Sequence, residues 1–231
     1  MNVVDLTRVY SFDCYGTLID WESGIRAALT QVPELAEVDL DDASAAGFVA
    51  RREAIELQVE GEQYRSYDEV LALSLTRCAT KFGLVVGESA AKRFAASLAD
   101  WEPFPDAHPF LKRLRAGGLP QAILSNVTRA GLRGSVRKLG VAFDLLVTAE
   151  DVRSYKPAPQ HWLEAQATLG IGPREQLHIA ASLTHDVIPA GRLGVPCIWV
   201  NRRDENLPPG VAPVMVVRDL AELGERLELP G

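Results

Sequence analysis

Asp13 ends the apolar run Val9-Tyr10-Ser11-Phe12 and opens Cys14-Tyr15-Gly16-Thr17-Leu18-Ile19-Asp20. A carboxylate is thereby aimed out of the end of a buried strand into a turn, which is where α/β enzymes keep a nucleophile. Gly16 and Thr17 break the run and leave backbone N–H groups to face an anion. A lone strand-terminal Asp is more often a turn or cap residue, so the reading depends on what collects around it. Ser125 and Asn126 put a hydroxyl and an amide after the apolar stretch Gln121 to Leu124, which alone is ordinary turn chemistry. Lys156 stands before Pro157 and Pro159, either of which could start a helix. Asp186 follows the segment Leu177-His178-Ile179-Ala180. It is either a helix N-cap before Val187 and Ile188 or, together with Asp13, a second carboxylate able to orient water. Arg51 and Arg52 flank the helical stripe Phe48, Ile55 and Val59; the ordinary role of such arginines is to lie along an amphipathic helix with their heads in water.

These groups need a framework that gathers strand ends. Residues 21 to about 100 show almost no strand-like alternation and read as successive helices. Ser66-Tyr67-Asp68-Glu69 predicts a capping box opening a helix through Val70, Leu71, Leu73, Leu75 and Ala79 toward Gly83. From Trp101-Glu102-Pro103-Phe104-Pro105 onward strands alternate with helices, the strands expected at 121–124, 143–147, 177–180, 196–200 and 213–217. Such alternation argues a parallel sheet wrapped by helices. The first strand then belongs to this later body, and the helical stretch is an insertion, most simply a cap over the strand ends. The expected division is 1–20 with 101–231 for the α/β body and 21–100 for the cap, with 103–109 as the return hinge and Leu207-Pro208-Pro209-Gly210 as a surface turn.

A chain of 231 residues, 47% of them hydrophobic, can bury one core and a small accessory domain. Its net charge of −7 gives no basic field for nucleic acid or an anionic membrane, so an anionic substrate must meet locally placed positive charge. Cys14, Cys78 and Cys197 are odd in number and far apart, which indicates neither a disulfide framework nor a zinc site. Cys14 reads as a small packing residue rather than a second nucleophile. There is no run of ~18 apolar residues, and the opening residues lack a basic stretch followed by an apolar one. A cytoplasmic protein is expected.

The string Asp13-Cys14-Tyr15-Gly16-Thr17-Leu18 resembles the first motif of the haloacid dehalogenase (HAD) superfamily, whose members use that Asp to form a covalent intermediate. Leu124-Ser125-Asn126, Lys156-Pro157-Ala158-Pro159 and Ala181-Ser182-Leu183-Thr184-His185-Asp186 resemble its other three motifs, in order. The resemblance covers residues 8 to about 203 and implies a Rossmann-like HAD core with an inserted helical cap. HAD phosphatases usually place a second Asp, a general acid, where this chain has Tyr15; the 2-haloacid dehalogenase branch has Tyr. Phosphatases usually read G-D-x-x-x-x-D at the fourth motif, and Ala181 replaces the first of those acids, a carboxylate expected to hold Mg²⁺. Dehalogenases put Ser at that place, often Asn two residues later, and commonly Tyr six residues beyond the Lys. Here those positions hold Ala181, Leu183 and Trp162.

What the resemblance implies is hydrolysis of short 2-haloalkanoic acids to 2-hydroxy acids, as in the (S)-2-haloacid dehalogenases. Asp13 attacks the halogen-bearing carbon and forms an aspartyl ester. Arg51-Arg52-Glu53-Ala54-Ile55-Glu56 is similar to an R-x-x-x-L-E pattern on an early cap helix if Arg51 is the residue that receives the halide with Asn126, while helical geometry puts Arg52 slightly nearer the apolar centre and leaves it as the alternative. Ser125, Lys156 and backbone amides hold the substrate carboxylate, and Asp186 orients water onto the ester. Tyr15, Trp21 and Trp162 could wall a small substrate, and His185 is a neighbour that shapes the pocket. Neither a cofactor nor a metal is expected; the partner is a small haloacid, and a homodimer is compatible with the reading. Halide is a good leaving group, so the acid absent at Tyr15 is not missed. Two other readings share the motifs: a HAD-type phosphatase on a small phosphorylated metabolite, with a poor Mg²⁺ site, and a non-catalytic HAD-fold binding protein.

Overall fold

The computed structural model describes residues 6–42, 44 and 47–229; the first five residues, on which the leader argument partly draws, lie outside the described residues. Six strands form one parallel sheet: β1 (Val9–Phe12), β2 (Gln121–Ser125), β3 (Leu145–Thr148), β4 (Gln176–Ala180), β5 (Cys197–Val200) and β6 (Met215–Val217), in the order β3-β2-β1-β4-β5-β6. All residues of β1, β2, β4 and β5 are buried. That suits their content of Val, Ile, Leu and aromatic residues, since a central parallel strand is covered on both faces. The chain turns to one side of β1 for β2 and β3 and to the other for β4 to β6, so the strand order reverses at β1. Parallel α/β sheets bind ligands beyond the carboxyl ends of the strands at such a reversal.

Register puts the chemistry-bearing ends level. Phe12 pairs with Ile123 on β2 and with Ile179 on β4, and the ladder runs one residue further as the Asp13 N–H donates to the Ile179 carbonyl at 3.1 Å. Phe12 is held edge-on by Phe110 and Phe143, each 6.3 Å away between ring centroids. Phe143 is therefore packed against Phe12 rather than in a strand, and β3 begins two residues later than the apolar pattern suggests. Asp144 marks the entry: its N–H donates to the Gln121 carbonyl and its Oδ2 accepts the Gln121 N–H. Behind the sheet ends, Leu124, Val147, Trp162, Ala165, Val187, Ala190, Val195, Cys197 and Trp199 form a buried apolar cluster.

The chain separates into two compact units, one running through Asp20 and resuming at Pro103, the other Trp21–Glu102. The second is helical, with helices Trp21–Leu29, Phe48–Glu60, Tyr67–Lys81 and Glu88–Ala96. The third of these opens on the expected capping box: the Ser66 side chain accepts the Glu69 N–H, and Glu69 Oε2 accepts the Ser66 N–H. Gly24 is needed for close packing here, because a Cβ at that position would lie 2.3 Å from the Trp101 ring. Among the described residues no helix is long and apolar enough to cross a membrane.

Candidate active site

Asp13, Lys156 and Asp186 meet at the carboxyl ends of β1, β2 and β4. Lys156 Nζ donates to Asp13 Oδ1 at 2.9 Å, to Asp186 Oδ1 at 2.7 Å and to the Leu124 carbonyl at 2.9 Å. Those are all three of its N–H bonds, so the ammonium is saturated and both carboxylates are fixed to it. Its loop is fixed in turn by Asn126, whose Oδ1 accepts the Lys156 N–H at 2.7 Å and whose Nδ2 donates to the Lys156 carbonyl at 3.1 Å. Asn126 thus holds the lysine segment through the backbone, and its amide retains one further N–H.

The second oxygen of Asp13 is held as well. Thr17 Oγ1 donates to Asp13 Oδ2 at 2.8 Å and accepts the Ala181 N–H at 2.9 Å, which ties the first motif to the fourth. The glycine beside it acts otherwise than the sequence suggests. Gly16, at φ +96°, donates its N–H to the Ile19 carbonyl at 2.8 Å, so that group closes the turn and does not face an anion.

Asp186 lies inside a wide turn of helix, Leu183–Val187, whose N-cap is Ser182; the Ser182 Oγ accepts the His185 N–H. Capping therefore belongs to Ser182, and Asp186 is left wholly buried with its carboxylate directed to Lys156 and to His178, whose Nε2 lies 2.9 Å from Asp186 Oδ1. Asp186 Oδ2 and Ser125 Oγ are buried with no hydrogen-bond partner. Two acceptor-capable oxygens beside a saturated cation are the open valences of this site, since buried polar groups ordinarily find partners.

The charges push the two carboxylates apart. Burial raises the Asp13 carboxyl above the ordinary aspartate range, only partly offset by Lys156, and Asp186 raises it further. Burial acts on Asp186 in the same direction, but Lys156 and the His178 hydrogen bond outweigh it and hold that group below the usual range. Burial alone would lower the Lys156 ammonium; the two aspartates reverse this and keep it charged. A pair of acids displaced in opposite directions is the pattern expected where they take different roles.

The remaining predicted residues are placed as follows. Tyr15 directs its hydroxyl to Ser135 Oγ at 2.8 Å, and burial lifts its phenol well above 10. Trp162 is fully buried and packs edge-on to the His178 ring, 5.6 Å between centroids. His185 Nδ1 lies 3.3 Å from Ser182 Oγ. Trp21, Arg51 and Arg52 belong to the helical unit. There Arg51 is exposed, while Arg52 is buried and bonds Glu56 at 2.6 Å and Ser74 at 3.3 Å. Three groups escaped sequence reasoning: the Thr17 hydroxyl, His178 and Ser11. The signal was present, because a Ser and a His interrupt two strands that otherwise read as apolar.

The donor set does not suit a hard divalent cation, which asks for several oxygen ligands. The two carboxylates already share the Lys156 ammonium, Ala181 contributes no side-chain oxygen, and among the described residues no group of three or more His, Cys, Asp or Glu side chains is arranged to hold a metal.

Comparison with known proteins identifies the family of the chain. A family model described as haloacid dehalogenase-like hydrolase matches residues 7–194. An (S)-2-haloacid dehalogenase of Pseudomonas putida is 31% identical over 222 residues, covering 94% of this chain and 96% of the relative. A haloacetate dehalogenase of Moraxella sp. (strain B) is 30% identical over 194 residues, 83% of this chain and 84% of the relative. A crystal structure of an L-2-haloacid dehalogenase superposes with a TM-score of 0.82 at 26% identity, over 96% of this chain and 99% of that one.

Proposed function

The chain belongs to the haloacid dehalogenase-like hydrolase family, and we propose that within it this protein hydrolyses short 2-haloalkanoic acids to 2-hydroxy acids through an ester on Asp13. One observation carries the reading. At a strand end two carboxylates, Asp13 and Asp186, share one lysine, while the position two residues after Asp13 is a tyrosine whose hydroxyl is engaged by Ser135. Such a site has a nucleophile and a water-orienting base but no acid for an alcohol leaving group. Halide needs none.

Asp13 displaces the halide in line at the 2-carbon, and its carboxylate becomes an ester while the C–X bond breaks. Asn126, with its remaining amide N–H, receives the halide in this reading, and Arg51 is the further halide residue that the family resemblance offers; Ser125 holds the substrate carboxylate, and Lys156, its three N–H bonds already taken, adds only its positive charge. Water then adds to the Asp13 ester carbonyl, giving its proton to the open Oδ2 of Asp186. Collapse breaks the acyl–oxygen bond, the departing alkoxide takes the proton, and Asp13 is returned as a carboxyl that ionises. Supporting all this are the relatives' dehalogenase activity and the arrangement of Asp13, Thr17, Lys156 and Asp186. The reading includes a cytoplasmic location and a homodimer; the latter is tested by particle mass in solution.

The experiment is a single turnover of (S)-2-chloropropionate in ¹⁸O-water with enzyme in excess. Label is expected in the Asp13 carboxylate and not in the lactate, which should emerge inverted, and turnover should persist in EDTA. Label in the first-turnover lactate would make Asp13 a general base and end the ester mechanism; phosphate release from phosphomonoesters with strict Mg²⁺ dependence would end the dehalogenase reading.

A further inference from the structure

We propose that His178 is a positioning residue for the second half of the reaction, holding Asp186 so that its free oxygen meets the water that cleaves the Asp13 ester. The proposal rests on the dehalogenase reading and deepens it.

The observation is a line of hydrogen bonds running through the buried sheet. Gln166 Nε2 donates to Gln176 Oε1 at 3.0 Å, and Gln176 Nε2 donates to Ser11 Oγ at 2.8 Å. Ser11 Oγ lies 2.9 Å from His178 Nδ1, and His178 Nε2 lies 2.9 Å from Asp186 Oδ1. Ser11 and His178 are direct register partners on β1 and β4, with Val9 and Gln176 paired two residues earlier, so period-two alternation puts Ser11, Gln176 and His178 on one face of the sheet. Ser11, Gln176 and His178 are at most 1% exposed, and burial of so much polar surface inside apolar strands costs stability unless each group is paired.

The donors all point one way. The Asp186 carboxylate can only accept, so the His178 Nε2 beside it carries the proton, and in the neutral ring Nδ1 then accepts the Ser11 hydroxyl proton. A single N–H then aims at Asp186 Oδ1. With Lys156 on that same oxygen, the carboxylate is gripped through Oδ1 alone, and Oδ2 is the oxygen left without a partner. Trp162, edge-on to the imidazole, fixes the ring plane. Nothing in this line touches Asp13, whose two oxygens are held by Lys156 and Thr17. His178 therefore serves the step that uses Asp186, ester hydrolysis, and not the step that uses Asp13, halide displacement.

The test separates those steps. Wild type, His178→Phe, His178→Gln and Ser11→Ala are each mixed with (S)-2-chloropropionate, and quenched samples are read for chloride and, by intact mass, for the protein ester. His178→Phe keeps the aromatic packing but loses the N–H; it should release the first equivalent of chloride at a near-normal rate, then turn over about tenfold to a hundredfold more slowly while ester accumulates, the usual size of loss when the partner orienting a working group is removed. His178→Gln can place an amide N–H near the ring Nε2 and should recover most of the rate. Ser11→Ala, which leaves the ring in place, should show milder ester accumulation and carries the test if His178→Phe does not fold. Equal slowing of both steps, or unchanged turnover without ester in a folded variant, would overturn the proposal. Absence of chloride release by the wild type would instead overturn the dehalogenase reading beneath it.

Discussion

Lys156 and Arg52 are both fully buried cations, one in the α/β unit and one in the helical unit, yet they are satisfied in opposite ways. Lys156 uses all three N–H bonds, two on carboxylates and one on a carbonyl. The unmet groups around it are oxygens, Asp186 Oδ2 and Ser125 Oγ. Arg52 bonds Glu56 and Ser74 through Nη1 only, with the Phe94 ring centroid 5.8 Å from its guanidinium carbon. Its Nε and Nη2 are the unmet groups. In that cluster Glu56 also accepts the Tyr67 hydroxyl at 2.6 Å, and burial, which would lower the Arg52 guanidinium, is outweighed by Glu56. A saturated lysine with open oxygens beside it is arranged to act on something; an arginine locked to a neighbour on its own helix is arranged to hold that helix. A buried ion pair is thus no indication of catalysis by itself.

Removing each cation should break the comparison in a different observable. Lys156→Met leaves two neighbouring buried carboxylates without their shared counter-charge, which favours uptake of a proton by one of them. Turnover of a haloacid should fall about a thousandfold. The acid limb of kcat/KM should also move to higher pH: Lys156 lowers both Asp13 and Asp186, so without it the nucleophile loses its charge earlier as pH falls. A pH profile whose acid limb does not move would show that Lys156 does not set the ionisation of Asp13.

Arg52→Leu should act on stability instead, by about 3 kcal/mol in chemical denaturation, because Glu56 is left without its partner in a largely buried place. Replacing Glu56 by Leu as well should restore much of that loss, as apolar groups fill the space of an ion pair. Arg51→Ala is the opposite case. At an exposed position it should change stability by no more than about 0.5 kcal/mol, while haloacid turnover drops about a hundredfold if Arg51 receives the halide. Were Arg52→Leu the variant that folds normally and loses activity, the halide role would pass to Arg52.

How far the sequence could anticipate this arrangement differs between the units for a physical reason. In the α/β unit the period of apolar runs and the turn residues after them located the strands, but spacing alone left Ser125, Lys156 and Asp186 as turn, loop and cap residues, and it was the resemblance to the four HAD motifs that gathered them with Asp13 before any geometry was known. Side-chain direction was less accessible. That Thr17 bonds Asp13, that Gly16 closes a turn and that Trp162 lies behind His178 depend on local dihedrals and on register, which no spacing rule supplies. In the helical unit the 3.6-residue period did place Arg52 nearer the apolar stripe than Arg51, but it could not say that Glu56 and Ser74 would bury it. His178 was invisible for a related cause: a polar residue inside a strand acquires meaning only once the facing residue, Ser11, is known.

The smallest expected effect sharpens the contrast through pH. All four histidines of the chain, His108, His161, His178 and His185, lie in the α/β unit. His161 is buried with its Nε2 3.2 Å from the Ser125 carbonyl, and burial, assisted by Lys156, pushes its imidazole down to about 3. An unfolded histidine titrates near 6.5. The fold therefore keeps His161 neutral while the unfolded chain takes up a proton, so the contribution is fully present above about pH 6.5 and is lost as pH falls, by about 1.4 kcal/mol per unit, until the folded group itself titrates. Between pH 7 and 5 the wild type should lose about 2 kcal/mol more than His161→Gln. The loss should register in a protein whose only tryptophans are Trp162 and Trp199, which report on the α/β unit, and not when local opening is followed through Trp21 and Trp101 of the helical unit. Parallel pH slopes for wild type and His161→Gln would show that His161 is not the group that makes the α/β unit acid-sensitive.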